Sequence, residues 1–179
     1  MTARRIPTLI VGGGIGGLAT ALALARRGRP VHVVEKAPEF GELGAGLQIA
    51  PNAMWVLDEL GLSAEISKFA VFPSRLVWMD ALTAKPLTAL DLGERFRRHF
   101  GQPYIVMHRS DLLDVLLAAC KAEPAIRLEA GREVLEVEDG GDCGRARMAD
   151  GTMLEAEVLI GADGLWSRVR RLISDDAPI

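Results

Sequence analysis

Apolar and polar positions alternate with changing period along this chain, and each change marks an element. Arg5 to Val11 is a nearly continuous apolar run, the pattern of a parallel strand buried on both faces. From Ile15 to about Arg27 the period lengthens, and Leu18, Leu22 and Ala25 fall on one helical stripe. Arg26 and Arg27 suit the negative C-terminal end of that helix, and Gly28 supplies a cap. Pro30 then leads into Val31-His32-Val33-Val34, a second strand ending in Glu35. Lys36 to Asn52 reads as irregular. Pro51 opens a helix to Leu60, which Gly61 ends, with Trp55, Val56, Leu57 and Leu60 assigned to the core. A short helix follows from Ser63 to Phe69.

Near Val71 the pattern changes. Residues 74–79, 86–92 and 103–107 read as three short strands outside any βαβ rhythm, so they are expected to begin a second sheet. Ser110 is placed as the N-cap of a helix to about Lys121, with Leu112, Leu113, Leu116, Leu117 and Cys120 inside. Ala125 to Leu128 returns to the first sheet. Three alternating segments, at 133–138, 145–148 and 152–154, are separated by Asp139-Gly140-Gly141-Asp142 and Asp150-Gly151, giving a β-meander over one sheet face. Glu157 to Ile160 is a last parallel strand, and a helix carrying Trp166, Val169 and Leu172 follows. The expected organisation is a first domain in two parts, 1–70 and 109–179, around a partial second domain at 71–108.

This order predicts an α/β fold with a Rossmann-like sheet, and the first turn says what it binds. Gly12, Gly14 and Gly17 satisfy G-x-G-x-x-G directly after a strand and at the start of a helix, the context that makes the pattern informative. Gly12 serves the tight turn, Gly14 the close approach of a pyrophosphate, and Gly17 the packing of helix on strand. The helix N-terminus presents free N–H groups to the phosphates, so Ile15 and Gly16 join the candidate site. A phosphate-loop NTPase would need Lys and Ser or Thr after the last glycine, where Leu18 and Ala19 stand. Glu35 lies 18 positions after Gly17, near the spacing at which an acidic residue meets a dinucleotide ribose, and its charge disfavours a 2′-phosphate.

Composition adds exclusions. The 179 residues are 49% hydrophobic and carry a net charge of −3, so a basic nucleic-acid face is not expected, and the run Arg95 to His99 reads as a solvated surface segment. Cys120 and Cys143 form no C-x-x-C pair, and His32, His99 and His108 are scattered, so no metal site is expected. No apolar run approaches a membrane span, and unpaired thiols without a signal peptide point to the cytoplasm. No G-x-S-x-G or Ser/His/Asp set suggests a hydrolase.

A second motif, Gly161-Ala162-Asp163-Gly164-Leu165-Trp166-Ser167-Arg168-Val169-Arg170, resembles the Asp-Gly motif of FAD-dependent aromatic hydroxylases, the single-component flavoprotein monooxygenases. His108-Arg109-Ser110-Asp111-Leu112 and Gly44-Ala45-Gly46-Leu47-Gln48-Ile49-Ala50-Pro51 resemble two further elements of that family. The resemblance implies that FAD is the dinucleotide and NADH the hydride donor. It also implies contacts from Lys36, Gln48, Arg109, Glu133, Val134, Asp163 and Gly164, with Asp163 near the ribityl chain and Val134 near adenine. Less general stretches, Glu39-Phe40-Gly41-Glu42, Asp80 to Ala84, Leu90 to Gly93 and Pro103 to Val106, are similar to those of family members converting 3-hydroxybenzoate to gentisate. A parent resembling salicylate hydroxylases stays open, as does a non-catalytic nucleotide- or flavin-binding module. Asp163-Gly164 argues against an NAD-binding subunit. Family members are about twice this length, and their third FAD motif is absent here. The expectation is therefore an N-terminal portion that binds FAD, hydroxylates poorly, at most oxidises NADH without coupling, and self-associates through exposed strand edges. Catalytic residues are not assigned.

Overall fold

The computed structural model describes residues 5–41 and 44–174. In chain order the elements are β1 (Ile6–Val11), α1 (Ile15–Ala25), β2 (Val31–Val34), β3 (Gly46–Ile49), α2 (Pro51–Glu59), α3 (Ser63–Ser67), β4 (Arg75–Met79) and β5 (Pro86–Asp91). They continue with α4 (Glu94–Phe100), β6 (Ile105–His108), α5 (Arg109–Ala122), β7 (Ile126–Glu129), β8 (Val134–Asp139), β9 (Gly144–Met148), β10 (Met153–Gly161) and α6 (Arg170–Ile173). By contacts the chain forms two compact units, Met1–Glu42 with Leu116–Ile179, and Leu43–Val115. The segment 71–108 lies wholly within the second. The outer ends of the expected first domain, and Glu42 of the family-like stretch at 39–42, lie outside the described residues, as does the side chain of Leu172.

The first unit is built on a six-stranded sheet of order β7-β2-β1-β10-β9-β8. β7, β2, β1 and the second half of β10 run parallel, with Val34 opposite Val11 and Gly161 on its other side. β9 and β8 extend the sheet antiparallel from the first half of β10. Leu9, Ile10 and Val33 have no exposed surface, as expected for strands covered on both faces. On one face Leu9, Val11 and Val34 form a single cluster with Val134, Ala146, Met148, Ala156 and Val169, so the meander is the lid of this core. Leu18, Ala21, Leu22 and Ala25 are the buried stripe of α1, and the buried Cys120 thiol donates to the Leu18 carbonyl at 3.4 Å. Each large apolar side chain sealed in this way contributes about 1.5–3 kcal/mol. One polar group sits within β1. The hydroxyl of the fully buried Thr8 accepts from Arg29 Nε at 2.6 Å, and Arg29 Nη2 also donates to Pro7 O at 2.9 Å.

In the second unit β3 pairs antiparallel with β6, and Val71 adds one bridge to Val106. β4 and β5 form a separate two-stranded sheet in which every residue except the half-buried Leu76 is exposed. Trp55 Nε1 donates to Phe100 O at 3.1 Å.

Several expectations are corrected. The third meander strand and the last parallel strand are one strand, β10, because Glu155-Ala156-Glu157 contains no breaker between its two pairing partners. The segment expected to be irregular contains β3, and 103–107 pairs with β3 rather than with the strands at 74–92. Arg95 to His99 is a surface segment as expected, and it is helical, with Glu94 at the start and basic residues in the last turn matching the helix dipole. Trp55 and Val56 are about half exposed rather than core. α5 starts at Arg109, and the Ser110 hydroxyl pairs with His108 Nδ1 at 2.6 Å rather than capping from outside. Residues 165–169 form turns, and α6 begins only at Arg170.

Candidate functional site

The carboxyl ends of β1, β2 and β10 converge on the glycine turn. Gly12 N donates to Val34 O at 2.8 Å, and Ala162 N to Val11 O at 2.7 Å. Gly12 has φ +110°, and a Cβ there would lie 2.3 Å from Ala162 O. A Cβ on Gly17 would lie 1.9 Å from Gly12 O, so α1 leaves the turn at a distance only glycine permits. Gly14 and Gly16 are different, since a side chain there would meet no heavy atom within 4 Å. Gly14 is the N-cap of α1, makes no side-chain cap bond, and is followed by no acidic residue in the first turn. The open N–H groups of Ile15, Gly16 and Gly17 and the positive helix end are therefore presented to a ligand's charge.

Glu35 sits beside this turn. One carboxylate oxygen accepts from Gly13 N at 2.7 Å and the other from Ala37 N at 2.9 Å. A carboxylate offers about four acceptor positions, so two remain for hydroxyls of a sugar. Lys36 is exposed next to it. The Phe40 ring covers Gly13, where a Cβ would lie 2.4 Å from the ring edge.

Asp163 and Gly164 follow β10 at the same end of the sheet. Asp163 accepts from Ser167 Oγ at 2.6 Å, from Arg168 N at 2.6 Å and from Val169 N at 3.4 Å, so its carboxylate caps its own motif. Gly164 has φ +77° and an open side-chain position. Arg168 reaches across to the meander, donating to Leu135 O at 2.8 Å and to the Glu133 carboxylate at 3.0 Å. Val134 beside Glu133 is buried. The structure thus brings Gly12, Gly14, Ile15, Gly16, Gly17, Glu35 and Lys36 to one end of the parallel sheet, followed there by Asp163 and Gly164, and links Asp163 through Arg168 to Glu133.

The second unit holds the other two candidates. Gln48 is exposed on β3 and accepts from Tyr104 Oη at 2.5 Å. Arg109 opens α5, and its side chain lies against Gly44, where a Cβ would be 2.7 Å from Arg109 Cβ.

Sequence reasoning missed the roles of Ser167 and Arg168. Ser167 and Arg168 stand four and five residues after Asp163, a spacing that could have suggested an Asp-capped turn. Burial pushes the Cys120 thiol up to about 12, which makes it an inert core group. Among the described residues no group of His, Cys, Asp and Glu could hold a metal ion, and no helix is long and apolar enough to cross a membrane.

A parallel sheet whose first glycine turn presents an uncapped helix N-terminus, with an acid at the end of the neighbouring strand, defines a dinucleotide-binding domain. The profile of the FAD binding domain family matches residues 5–177, and the chain belongs to that family. FAD is accordingly the cofactor of this chain. The chain is 45% identical over 168 residues to 3-hydroxybenzoate 6-hydroxylase 1 of Aquipseudomonas alcaligenes, covering 94% of this chain and 43% of that protein. It is 40% identical over 176 residues to 3-hydroxybenzoate 6-hydroxylase of Klebsiella oxytoca, covering 98% and 44%. Among solved structures, a variant of 2-methyl-3-hydroxypyridine-5-carboxylic acid oxygenase superposes with a TM-score of 0.81 at 28% identity, covering 96% of this chain and 43% of that one. The chain thus spans less than half the length of the relatives it matches.

Proposed function

We propose that this chain is the FAD-binding N-terminal portion of an NADH-dependent aromatic hydroxylase whose substrate is 3-hydroxybenzoate and whose product is gentisate. The observation that carries this reading is identity of 40–45% to 3-hydroxybenzoate 6-hydroxylases across nearly the whole chain. When bound, FAD supplies the hydride acceptor and the activation of O₂ that no side chain can provide. The chain's own residues hold it. The N–H groups at the start of α1 face the diphosphate, and Gly14 lets it approach the backbone. Glu35 accepts hydrogen bonds from the adenosine ribose, beside Lys36. Glu133 and Val134 meet adenine, with Arg168 fixing the Glu133 carboxylate. Gly164 follows Asp163, whose capping bonds hold the backbone after β10 in place. Gln48 and Arg109 are assigned to the cofactor by resemblance to the family. A cytoplasmic location belongs to the same proposal.

These 179 residues alone bind FAD and hydroxylate poorly, because productive use of O₂ needs a closed, dry site. The two strands β4 and β5 instead expose both faces. The test is incubation of the chain with FAD, NADH and 3-hydroxybenzoate, followed by chromatography and a peroxide assay. FAD binding with NADH oxidation at most, released as H₂O₂, is the expected result. Gentisate formed in step with NADH consumption would overturn the second part of the proposal, and failure of the folded chain to bind FAD would overturn the first.

A further inference from the structure

Glu35 is held from behind as well as from the turn. Glu35 N donates to Glu129 O at 2.9 Å, Arg132 N donates to Glu35 O at 2.8 Å, and Gly131 N donates to Ala37 O at 2.7 Å. The segment 129–132 therefore fixes both peptide groups of Glu35 and the residue that bonds its carboxylate. The Arg132 side chain adds to the backbone pairing of β7 with β2 in holding this segment. Its Nη1 pairs with Asp150 in the β9–β10 turn, and its Nε lies 3.7 Å from Glu129 Oε2. Glu129 is itself flanked by Arg127 and by His32 Nε2 at 3.0 Å. Next along the chain, Ala149 N donates to Glu133 O at 2.8 Å, so the same turn is bonded to the segment by backbone as well. Only about a quarter of the Arg132 side chain is exposed, which screens these pairs less than surface ones.

We propose that Arg132 is a positioning residue for Glu35. It clamps the end of β7 to the β9–β10 turn, and through its own N–H it sets the peptide plane from which the Glu35 carboxylate reaches a ribose hydroxyl. Arg132 thereby governs the chain's preference for a ribonucleotide over its 2′-deoxy analogue. This rests on the ribose role given to Glu35 above.

The test is calorimetric titration of the full chain with ADP and with 2′-deoxy-ADP. The proteins compared are wild type, Arg132→Ala, Asp150→Asn and Glu35→Gln. A hydrogen bond to a charged carboxylate corresponds to roughly tenfold or more in affinity, so wild type is expected to favour ADP by about that factor. Arg132→Ala is expected to bring the ratio below about threefold, with Asp150→Asn between the two. A role confined to stability would weaken both ligands alike and leave the ratio unchanged, and that result overturns the inference. A wild-type ratio near one removes the ribose role of Glu35 and the inference with it. A ratio that collapses in Glu35→Gln but persists in Arg132→Ala removes the inference alone. Should Arg132→Ala fail to fold, a wild-type ratio in Asp150→Asn decides against it.

Discussion

Replacing Gly17 by Ala probes the joint between strand and helix most sharply. The added Cβ would lie 1.9 Å from Gly12 O, whereas ordinary contact begins at 3.4 Å, so about 1.5 Å must open between two backbone segments. Neither can yield by a rotamer change, because one is the glycine turn bonded to Val34 O and the other is the first turn of α1. Overpacking of this kind costs about 1–3 kcal/mol, from which the better helix propensity of Ala recovers up to about 1 kcal/mol. A net loss of about 1–2 kcal/mol is a factor of roughly 5–30 in the folded-to-unfolded ratio. Gly16→Ala, one position earlier, meets open space and gains propensity without a clash. Urea denaturation of both variants is the assay, with the Gly17→Ala midpoint expected below wild type and the Gly16→Ala midpoint at or above it. FAD affinity should fall in Gly17→Ala as well, since the helix end is displaced from the turn. Equal midpoints for the two variants would refute the close-packing account.

Three further outcomes are expected. Arg29→Met should cost about 1–3 kcal/mol by leaving the buried Thr8 hydroxyl without its donor, and Thr8→Val in the same chain should recover part of that loss in a denaturation double-mutant cycle. Burial, opposed by Glu129, lowers the His32 pKa below 6.5 in the folded chain, so the unfolded chain takes up the proton first and stability should fall as pH drops below about 6.5. His32→Gln should flatten that slope in melts between about pH 6.5 and 5, and an unchanged slope would count against it. Leu87, two-thirds exposed on β5, belongs to an apolar surface whose strand edges have no partner strand among the described residues, so Leu87→Lys should reduce self-association measured by light scattering.

The first sheet was legible because its signals are local. Apolar runs, helical stripes and glycine turns each fall within a few residues, and the meander turns carry Asp-Gly pairs. The break expected between 154 and 157 was an error of the same locality. β10 changes its neighbour from β9 to β1 in mid-strand, which no local pattern records. The half-exposed Trp55 misled because its indole N–H finds Phe100 O, a partner 45 residues away. In the site, Gly12, Gly14, Gly17 and Glu35 were readable from spacing, whereas Arg132 acts through Asp150 and Glu129 and becomes visible only when β7 and the β9–β10 turn are placed side by side.

The central claim is that the glycine turn holds the diphosphate of FAD. Gly14→Val tests it most directly, because the added side chain enters open space at an ordinary φ of −74° and so leaves the fold intact. Fluorescence titration of flavin into the wild-type chain should show saturable FAD binding that ADP displaces. The Gly14→Val chain should melt like wild type and bind neither. Undiminished FAD binding by a folded Gly14→Val chain, or FAD binding that ADP does not displace, would contradict the account.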